Sequence, residues 1–309
     1  MLKPPALCPG DRLAIVAPAS PFARDAFDRG VAEITRLGFE PVFDDRVFAR
    51  RPHVAGEPAV RAAALRQAWQ DPSIAGVIAV RGGYGSVQVL PLLDADAMRR
   101  TPKLFVGYSD LTSVLTFLTI SCGLVAIHGP MLDGRLARGV EGYDADSFVR
   151  TVMRAEPVGE LAPPGLEVLR AGDVSGLLLG GTLTQLAASL GTPYAFQPPA
   201  GHILFLEDVG ERPYRLDRLL MQLRLAGILE RAAAIVWGEL PGCDEPGGEP
   251  TARASIADAL SDFDGPILFG FPSGHTAGPL WTLPFGVRAR VVAGRTPRLV
   301  IEEAAVEAR

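Results

Sequence analysis

The first half of the chain alternates short apolar runs with longer segments of mixed polarity, which predicts strands and helices in turn. Residues 24–37 repeat their apolar positions at helical spacing and stop at Gly38, and the Ala-rich residues 57–70 stop at Asp71 and Pro72. Apolar runs that predict strands lie at residues 12–17, 41–43, 74–80, 104–106 and 125–127. This order predicts an α/β fold with a parallel, doubly wound sheet.

The alternation ends near residue 140. A last helix is predicted at residues 143–154, and the Pro- and Gly-rich segment after it has weak periodicity. The remainder mixes helices with strands; the helices are predicted at residues 182–190, 213–225 and 253–260, and the strands at 202–206, 233–237, 266–269, 287–292 and 298–301.

The length of the chain favours two domains. Its 309 residues exceed the size, about 250–300 residues, at which a single core stops growing. We therefore predict an N-terminal α/β domain at residues 1–155, a linker with some strand at 156–175, and a smaller mixed α/β domain at 176–309.

Composition and charge exclude several classes of protein. Apolar residues make up 48% of the chain and charged residues 21%, which is typical of a globular protein. The net charge of -5 provides no basic face, so we expect no nucleic-acid partner. The apolar segment 111–132 contains Pro, His, Gly and several hydroxyl residues, which favours a buried helix running into a strand over a membrane span.

The cysteines and the N-terminus indicate a cytoplasmic protein. The three cysteines, Cys8, Cys122 and Cys243, are far apart in the chain and form no CxxC pair, which disfavours a disulfide framework or a zinc knuckle. The first eleven residues have no apolar core of the kind found in signal peptides.

Polar residues follow several of the predicted strands. They occur at residues 81–85, 107–110 and 207–208, and a fourth group at 273–276 follows the strand that ends at Phe269. Because ligand sites in open α/β sheets form beyond the carboxyl ends of the strands, these segments are the candidates for a site.

Ser109 lies between a predicted strand and the start of a helix. Such a turn can present a hydroxyl at the top of a sheet as a nucleophile, with the backbone N–H of Asp110 placed to bind a developing oxyanion. Serine is also a favoured helix N-cap, and Gly-Tyr-Ser-Asp does not match the G-x-S-x-G motif. Both interpretations stay open on the pattern alone.

A serine nucleophile needs a base, and histidine is the usual one because its pKa is near 7. The chain has four histidines, namely His53, His128, His202 and His275. His275 lies in a Gly-containing loop from which an imidazole can reach a cleft, and His128 follows a strand end. The residues alone do not decide between these two, or between a base and a structural histidine.

Glu207 and Asp208 follow an apolar strand directly. Because adjacent side chains of a strand point in opposite directions, at most one of the two joins a given site. That carboxylate can orient an imidazole, as the third member of a catalytic triad does. Equally, such a carboxylate can accept loop N–H groups or pair with Arg212 or Arg215.

The turn Gly82-Gly83-Tyr84-Gly85 can supply a second oxyanion donor, because glycine lets a ligand approach backbone N–H groups closely. The turn fails the dinucleotide-binding fingerprint at Gln88, and neither lysine of the chain follows a glycine, as a P-loop requires. His-Glu-x-x-His and paired metal ligands are absent. We therefore expect no cofactor and no metal.

Seven segments, in order over nearly the whole chain, resemble the bacterial LD-carboxypeptidases, a family of serine peptidases. They are residues 14–21 (AIVAPASP), 80–85 (VRGGYG), 106–110 (VGYSD), 128–131 (HGPM), 180–183 (GGTL), 206–211 (LEDVGE) and 270–276 (GFPSGHT). Each segment alone is weak, but the ordered set is specific.

The resemblance implies a two-domain protein whose N-terminal domain is a flavodoxin-like or glutaminase-like α/β layer. It also implies a catalytic triad divided between the domains, with Ser109 as nucleophile and Glu207 and His275 as its partners. His128, Asp208 and Asp110 then become structural residues or support the triad. The expected oxyanion donors are the N–H groups of Asp110 and of Gly83.

The implied reaction is hydrolysis of the amide between an L-centre and a terminal D-residue, which in cells releases D-alanine from murein tetrapeptide during cell-wall recycling. Arg81 and Tyr84 are candidates for binding this small peptide substrate. The resemblance also implies a homodimer and no metal.

A sister branch of the family degrades peptidyl-nucleotide antibiotics of the microcin C type and confers self-immunity. That branch has a Trp that stacks on the nucleobase ahead of the Gly-Gly-x-Leu segment, whereas residues 141–179 here contain no Trp. Residues 213–218 (PYRLDR) also resemble the recycling branch more.

Two further hypotheses are a serine amidase or esterase for another acyl group and a ligand-binding α/β module without catalysis. In the module, Ser109 would be a helix N-cap and His275 a loop residue. Only an enzyme requires Ser109, Glu207 and His275 to converge, so their arrangement in space distinguishes the two classes.

Overall fold

The helices of the chain lie close to where the pattern predicts them. The computed structural model describes every residue from Met1 to Arg309. Its helices are α1 (Arg24–Arg36), α2 (Pro58–Gln70), α3 (Ala95–Arg100), α4 (Thr112–Thr116), α5 (Ala145–Met153), α6 (Leu183–Ser189), α7 (Pro213–Leu225) and α8 (Ala252–Ala259). The predicted helices at 24–37, 57–70 and 213–225 are confirmed to within one residue at either end. Helix α3, which the pattern missed, is a six-residue helix capped by the Asp94 carboxylate.

The first sheet is formed almost entirely by the first half of the chain. Its strands are β1 (Arg12–Val16), β2 (Glu40–Val42), β3 (Ile74–Ala79), β4 (Leu104–Gly107), β5 (Ala126–His128) and β12 (Leu283–Phe285), in the spatial order β12-β5-β4-β3-β1-β2. Strands β1 to β5 pair in parallel, which confirms the predicted doubly wound sheet. Their carboxyl ends therefore meet at one edge, where Arg81 and Ser109 follow β3 and β4.

Strand β12 comes from the second half of the chain and was not predicted. It pairs antiparallel with β5, with Leu283 opposite His128 and Phe285 opposite Ala126. A three-residue segment that contains Pro284 carries little strand signal, and proline is tolerated there because β12 lies at the edge of the sheet.

The second sheet is mixed and larger. Its strands are β6 (Gly159–Leu161), β7 (Glu167–Arg170), β8 (Gly172–Thr182), β9 (His202–Glu207), β10 (Ala232–Gly238), β11 (Ile267–Phe271), β13 (Arg288–Ala293) and β14 (Arg298–Ile301), in the order β6-β14-β13-β8-β9-β10-β11-β7. The four central strands β8 to β11 pair in parallel, so Glu207 at the end of β9 also lies at a carboxyl edge.

The segment 156–175 is part of the second sheet, not a linker beside it. Its residues form β6, β7 and the start of β8, and β6 and β7 lie at the two edges of that sheet. The Pro and Gly residues mark turns between short edge strands, and these turns resemble a linker when only local pattern is considered. The domain boundaries at residues 155 and 176 stay a proposal.

The apolar segment 111–132 lies inside the protein. It forms α4, one π-helical turn (Phe117–Ser121) and strand β5, and its apolar side chains are almost all buried. None of the helices combines the length and the apolar character that crossing a bilayer requires.

One continuous hydrophobic core connects the two sheets. It includes Phe105 and Ile127 from the first sheet together with Phe205, Trp237 and Phe271 from the second. The residues that follow the carboxyl edges of the two sheets are therefore held in place by a shared interior.

We expect Leu204→Ala to lower the free energy of unfolding by about 2–5 kcal/mol, because it opens a cavity in a core that relaxes only partly. Leu204 is fully buried in β9, between β8 and β10. Urea denaturation followed by circular dichroism measures the change. The matched control, Leu225→Ala, removes a side chain that is 82% exposed at the end of α7, so it should change the free energy by less than about 0.5 kcal/mol. Equal effects of the two substitutions would contradict the described core.

Candidate active site

Ser109 occupies a strained turn at the end of β4. Its φ angle is +62°, and only one other non-glycine residue, Leu240, has a positive φ. A non-glycine residue in this region costs about 1–3 kcal/mol, and such strain clusters at functional sites. Tyr108, and not Ser109, occupies the N-cap position of the helical turn that begins at Ser109, so the N-cap interpretation of Ser109 is wrong.

The glycine turn after β3 lies against Ser109. A Cβ atom added to Gly82 would lie 2.8 Å from the Ser109 Cβ, 3.0 Å from its hydroxyl oxygen and 3.3 Å from the Asp110 nitrogen. Only glycine at position 82 therefore leaves room beside the serine hydroxyl and the Asp110 amide. Of the two adjacent glycines, Gly82 makes this direct approach, and Gly83 stays a predicted oxyanion donor.

The turn is supported by Ser20, which lies in the segment 14–21 but was not predicted as a site residue. The Ser20 hydroxyl accepts a hydrogen bond from the Tyr84 N–H (3.0 Å) and donates one to the His53 carbonyl (2.9 Å). Gly83 has a φ of +94°, and a Cβ there would come too close to the Ser20 hydroxyl oxygen. A side chain at position 83 would displace this support.

The side chain of Asp110 points away from the serine. It is buried and accepts hydrogen bonds from the Ser86 N–H (2.7 Å) and the Gln185 amide (3.3 Å). Burial raises the pKa of this carboxyl above its ordinary value. Its contacts are structural, so only its backbone N–H remains a candidate for oxyanion binding.

The fully buried Glu207 pairs with the partly buried His275. The Glu207 side chain is fully buried, and its Oε2 accepts hydrogen bonds from both the backbone N–H (2.9 Å) and the Nδ1 (2.7 Å) of His275. Its Oε1 accepts a hydrogen bond from the Thr182 hydroxyl. Because a carboxylate only accepts hydrogen bonds, Nδ1 carries the proton and Nε2 of the neutral ring has a free lone pair.

The pKa values of this pair move in opposite directions. Burial alone raises the pKa of Glu207, but the charge and hydrogen bond of His275 outweigh it and bring the pKa to about 2. Burial likewise lowers the pKa of His275, and the Glu207 carboxylate more than offsets it, so this pKa lies above its ordinary value of 6.5. Glu207 is therefore ionised at neutral pH and stabilises the protonated imidazole.

The ring of His275 lies next to the segment that carries Ser109. The ring centroids of Tyr108 and His275 are 5.3 Å apart in an edge-to-face arrangement. Tyr108 directly precedes Ser109. The pair of Glu207 and His275 therefore lies next to the segment that carries Ser109.

His128, the rival histidine, lies in the interior. It is fully buried, its Nδ1 lies 3.0 Å from the Ser273 hydroxyl, and its ring contacts Phe205 and Phe285. Burial lowers the pKa of His128 to about 4. A neutral, enclosed imidazole suits support of the His275 loop, in which Ser273 lies.

Asp208 accepts hydrogen bonds from the first turn of α6 and from the residue that follows Asp208 in the chain. Its donors are the Thr184 N–H (2.9 Å) and hydroxyl (2.7 Å) and the Val209 N–H (2.9 Å). Burial raises its pKa to about 6. The alternative prediction, that this carboxylate pairs with Arg212 or Arg215, is wrong, because Arg212 pairs with Glu245 and Arg215 pairs with Glu211.

Arg81 and Tyr84 border an open hollow beside the glycine turn. The hollow has a volume of about 420 Å³ and is lined by Ser20, Pro21, Pro52, His53, Arg81, Gly83 and Tyr84. Arg81 is half-exposed and pairs with Asp133 at 2.8 Å, and Tyr84 is half-exposed as well. Each side chain is free to meet a ligand on its exposed side.

No three side chains of His, Cys, Asp or Glu are grouped in a way that fits a metal ion.

Two sequence profiles match the chain in succession. The LD-carboxypeptidase N-terminal domain matches residues 13–129, and the LD-carboxypeptidase C-terminal domain matches residues 175–291. A putative carboxypeptidase of Streptomyces coelicolor is 37% identical over 95% of this chain and 94% of its own length. The chain belongs to the LD-carboxypeptidase family. It is thus an enzyme, a carboxypeptidase of a serine peptidase family.

Other members of the LD-carboxypeptidase family are similar over the same span. The murein tetrapeptide carboxypeptidase of Pseudomonas aeruginosa is 33% identical over 92% of this chain and 94% of its own length. The structure of a muramoyltetrapeptide carboxypeptidase from Oxalobacter formigenes is 30% identical, with a TM-score of 0.82 over 95% of this chain and 99% of that one.

A microcin C7 self-immunity protein, MccF, has the same two-domain fold. Its structure matches with a TM-score of 0.91 over 99% of this chain and 100% of that one, at 24% identity. At this identity the likeness concerns the fold alone.

Residues that were not predicted as site residues also support the site of this LD-carboxypeptidase. Thr182 contacts Glu207, Ser273 contacts His128, and Arg135 donates hydrogen bonds to the carbonyls of Gly274 and Thr276 on either side of His275. The segments GGTL and GFPSGHT contain the first two, but nothing in the sequence around Arg135 indicated a role.

We expect His275 to titrate above 6.5 and His128 near 4, on opposite sides of an unperturbed histidine. Glu207→Gln should lower the pKa of His275, because the amide removes the negative charge that favours the imidazolium. Nuclear magnetic resonance of [¹⁵N]histidine-labelled protein across pH measures both values. The control is His128, which is fully enclosed and should stay neutral at pH 6 in both proteins. A His275 pKa that Glu207→Gln leaves unchanged would contradict the pair.

Proposed function

We propose that this enzyme removes the terminal D-alanine from murein tetrapeptide, with Ser109, Glu207 and His275 as its catalytic triad. The observation that carries the proposal is the hydrogen bond from His275 Nδ1 to the buried Glu207 carboxylate. The same imidazole ring packs against Tyr108, the residue before Ser109. The pairing leaves Nε2 as the proton acceptor. The names of the P. aeruginosa and O. formigenes relatives support the substrate.

The proposed reaction proceeds through an acyl-enzyme. His275 Nε2 takes the proton of the Ser109 hydroxyl while its oxygen attacks the carbonyl carbon of the L–D amide. The tetrahedral intermediate places its negative oxygen near the N–H groups of Asp110 and Gly83. As the C–N bond breaks, His275 returns the proton to the leaving amine, and D-alanine departs. Water, deprotonated by the same imidazole, then hydrolyses the ester and frees Ser109.

Glu207 enters the reaction through its charge. Its carboxylate, with a pKa of about 2, stays ionised while the imidazole gains and loses a proton. Because Glu207 is fully buried, the attraction between its carboxylate and the imidazolium is stronger than it is at a surface. The same contact holds the ring in the tautomer that the reaction needs.

The hollow beside the glycine turn provides a place for the charged end of the substrate. The C-terminal carboxylate of a murein tetrapeptide is an anion close to the cleaved bond, and the exposed face of the Arg81 guanidinium can pair with it. Tyr84 offers an aromatic surface next to it. We include a homodimer and a cytoplasmic location in the proposal, the latter because all three cysteines are free thiols.

The peptidyl-nucleotide substrate of the sister branch is the second candidate, because of the fold likeness to MccF. Against it, residues 141–179 contain no Trp to stack on a nucleobase, and Trp69 and Trp237 are enclosed in the core.

The decisive test is release of D-alanine from purified murein tetrapeptide by the wild type and by Ser109→Ala. We expect kcat/KM to fall by at least about 10³-fold in the variant, because loss of the nucleophile removes the covalent route. The matched control, Ser255→Ala, removes a serine hydroxyl from α8 in the second half of the chain and should keep wild-type activity.

Each contrary result has its own meaning. If the wild type releases no D-alanine, the substrate assignment fails, and a peptidyl-adenylate is the next compound to assay. Equal release by the wild type and Ser109→Ala would exclude Ser109 as nucleophile. A protein that binds the peptide and never cleaves it would support the ligand-binding module.

We expect Arg81→Ala to raise KM by about 10–100-fold, the loss typical of one charged hydrogen bond. The effect on kcat should be smaller, because the carboxylate does not change charge during the reaction. Steady-state kinetics with murein tetrapeptide give both constants. The matched control, Arg253→Ala, removes a comparably exposed arginine that pairs with Glu167 and should leave both constants unchanged. Wild-type KM in Arg81→Ala would exclude Arg81 from carboxylate binding.

A further inference from the structure

Arg135 is a buried cation without a carboxylate partner. It is 6% exposed, follows β5 in the segment before α5, and forms no ion pair in the chain. Its guanidinium instead donates hydrogen bonds to the carbonyls of Gly274 (3.0 Å), Thr276 (2.9 Å) and Gly278 (3.0 Å). These carbonyls belong to the loop between β11 and β12, which carries His275.

The same guanidinium also reaches the Ser109 side of the site. It contacts the Tyr108 hydroxyl at 3.4 Å and the Gly142 carbonyl at 3.4 Å. Tyr108 precedes Ser109 and packs its ring against His275. Arg135 therefore joins the two segments that the proposed triad must bring together, and these segments come from opposite halves of the chain.

Burying the Arg135 guanidinium is unfavourable in free energy, and its hydrogen-bonding geometry explains why it is tolerated. An isolated buried charge is strongly unfavourable unless polar partners surround it. Arginine presents its N–H donors in a rigid planar fork, which suits several carbonyls at fixed angles. Lysine concentrates its donors on one nitrogen and cannot reproduce that spread.

We propose that Arg135 is a positioning residue that holds the His275 loop against the Ser109 turn. It acts through His275 and does not touch the substrate. The inference rests on the proposed role of His275 as the base.

Several charged or titratable groups act on the His275 imidazole from the elements around it. They are Glu207 at the end of β9, Asp208 after it, Arg135 after β5, His128 in β5 and Tyr108 after β4. Among them Arg135 is the permanent cation, and its charge opposes protonation of His275. A neutral side chain at position 135 should therefore raise the pKa of His275.

The experiment compares Arg135→Lys and Arg135→Gln with the wild type and with Lys103→Met. Lys103 is the matched control, because it is also a buried cation held by backbone carbonyls, those of Ala68 (3.2 Å) and Asp71. Folding of each variant is checked by its urea transition. D-alanine release gives kcat and KM, and [¹⁵N]histidine resonances give the His275 pKa without any substrate.

We expect kcat to fall by about 10²-fold in both Arg135 variants, as a small displacement of a catalytic group does. KM should stay within about threefold of the wild type, because no substrate contact is removed. The pKa of His275 should rise in Arg135→Gln and stay near the wild-type value in Arg135→Lys. Lys103→Met should lower stability and leave kcat and the His275 pKa unchanged.

Three results would overturn the inference. One is a folded Arg135→Gln with wild-type kcat. The second is a loss of kcat in Arg135→Gln with an unchanged His275 titration, and the third is an equal loss of kcat in Lys103→Met, since either would reduce Arg135 to general stability. If Arg135→Gln does not fold, Arg135→Lys, which retains the buried charge, is the variant to assay. A fall in its kcat would support the inference, and a wild-type kcat would contradict it. Failure of the proposed function is distinguishable, because the wild type would then release no D-alanine while the histidine titrations still report on Arg135.

Discussion

The contact on which the site depends is the one between the buried Glu207 carboxylate and His275. A fully buried carboxylate is tolerated only when its oxygens are satisfied, and here one residue supplies both a backbone and a side-chain N–H to the same oxygen. This double contact fixes the loop as well as the ring. It also requires Gly274, because a Cβ at that position would lie 2.6 Å from the carboxyl carbon. The contact between Glu207 and His275 thus sets the charge around the imidazole, its tautomer and the conformation of the His275 loop together.

The two halves of the chain are joined at several points around this pair. Strand β12 from the second half completes the first sheet beside β5, and His128 of β5 contacts Ser273 of the His275 loop. The Thr112 hydroxyl accepts a hydrogen bond from the Thr182 N–H, and Thr182 in turn contacts Glu207. The proposed triad is therefore tied across the two halves through buried polar contacts, which are strong only while they stay complete.

The strained backbone of Ser109 is held in place by the residues around it. Its left-handed backbone costs stability, and the structure around it is rigid enough to hold it there. The close approach of Gly82 and the hydrogen bonds of Asp110 to Ser86 and Gln185 define the turn from both sides. Tyr108 occupies the N-cap position of the helical turn, so the serine hydroxyl is not needed as a helix cap.

The sequence by itself determined the features that depend on local pattern. Apolar periodicity and stop signals located most of the helices and parallel strands, though not α3 or β8, and the polar segments after predicted strands contained Ser109, Glu207 and His275. The choice of His275 over His128 came from the family resemblance, because both histidines follow apolar runs and periodicity does not distinguish them. Burial does distinguish them, and burial is a tertiary property.

Only the tertiary structure decided which distant segments meet. The pairing of β12 with β5, the inclusion of residues 156–175 in the second sheet, and the contacts of Arg135 all depend on partners far along the chain. Arg135 and Gly274 are separated by 139 residues, and the acceptors are backbone carbonyls, which every residue type possesses. Such a contact leaves no mark on the residue types of its acceptors, so local sequence pattern could not reveal it. Folding both halves around one core places those carbonyls within reach of a single guanidinium.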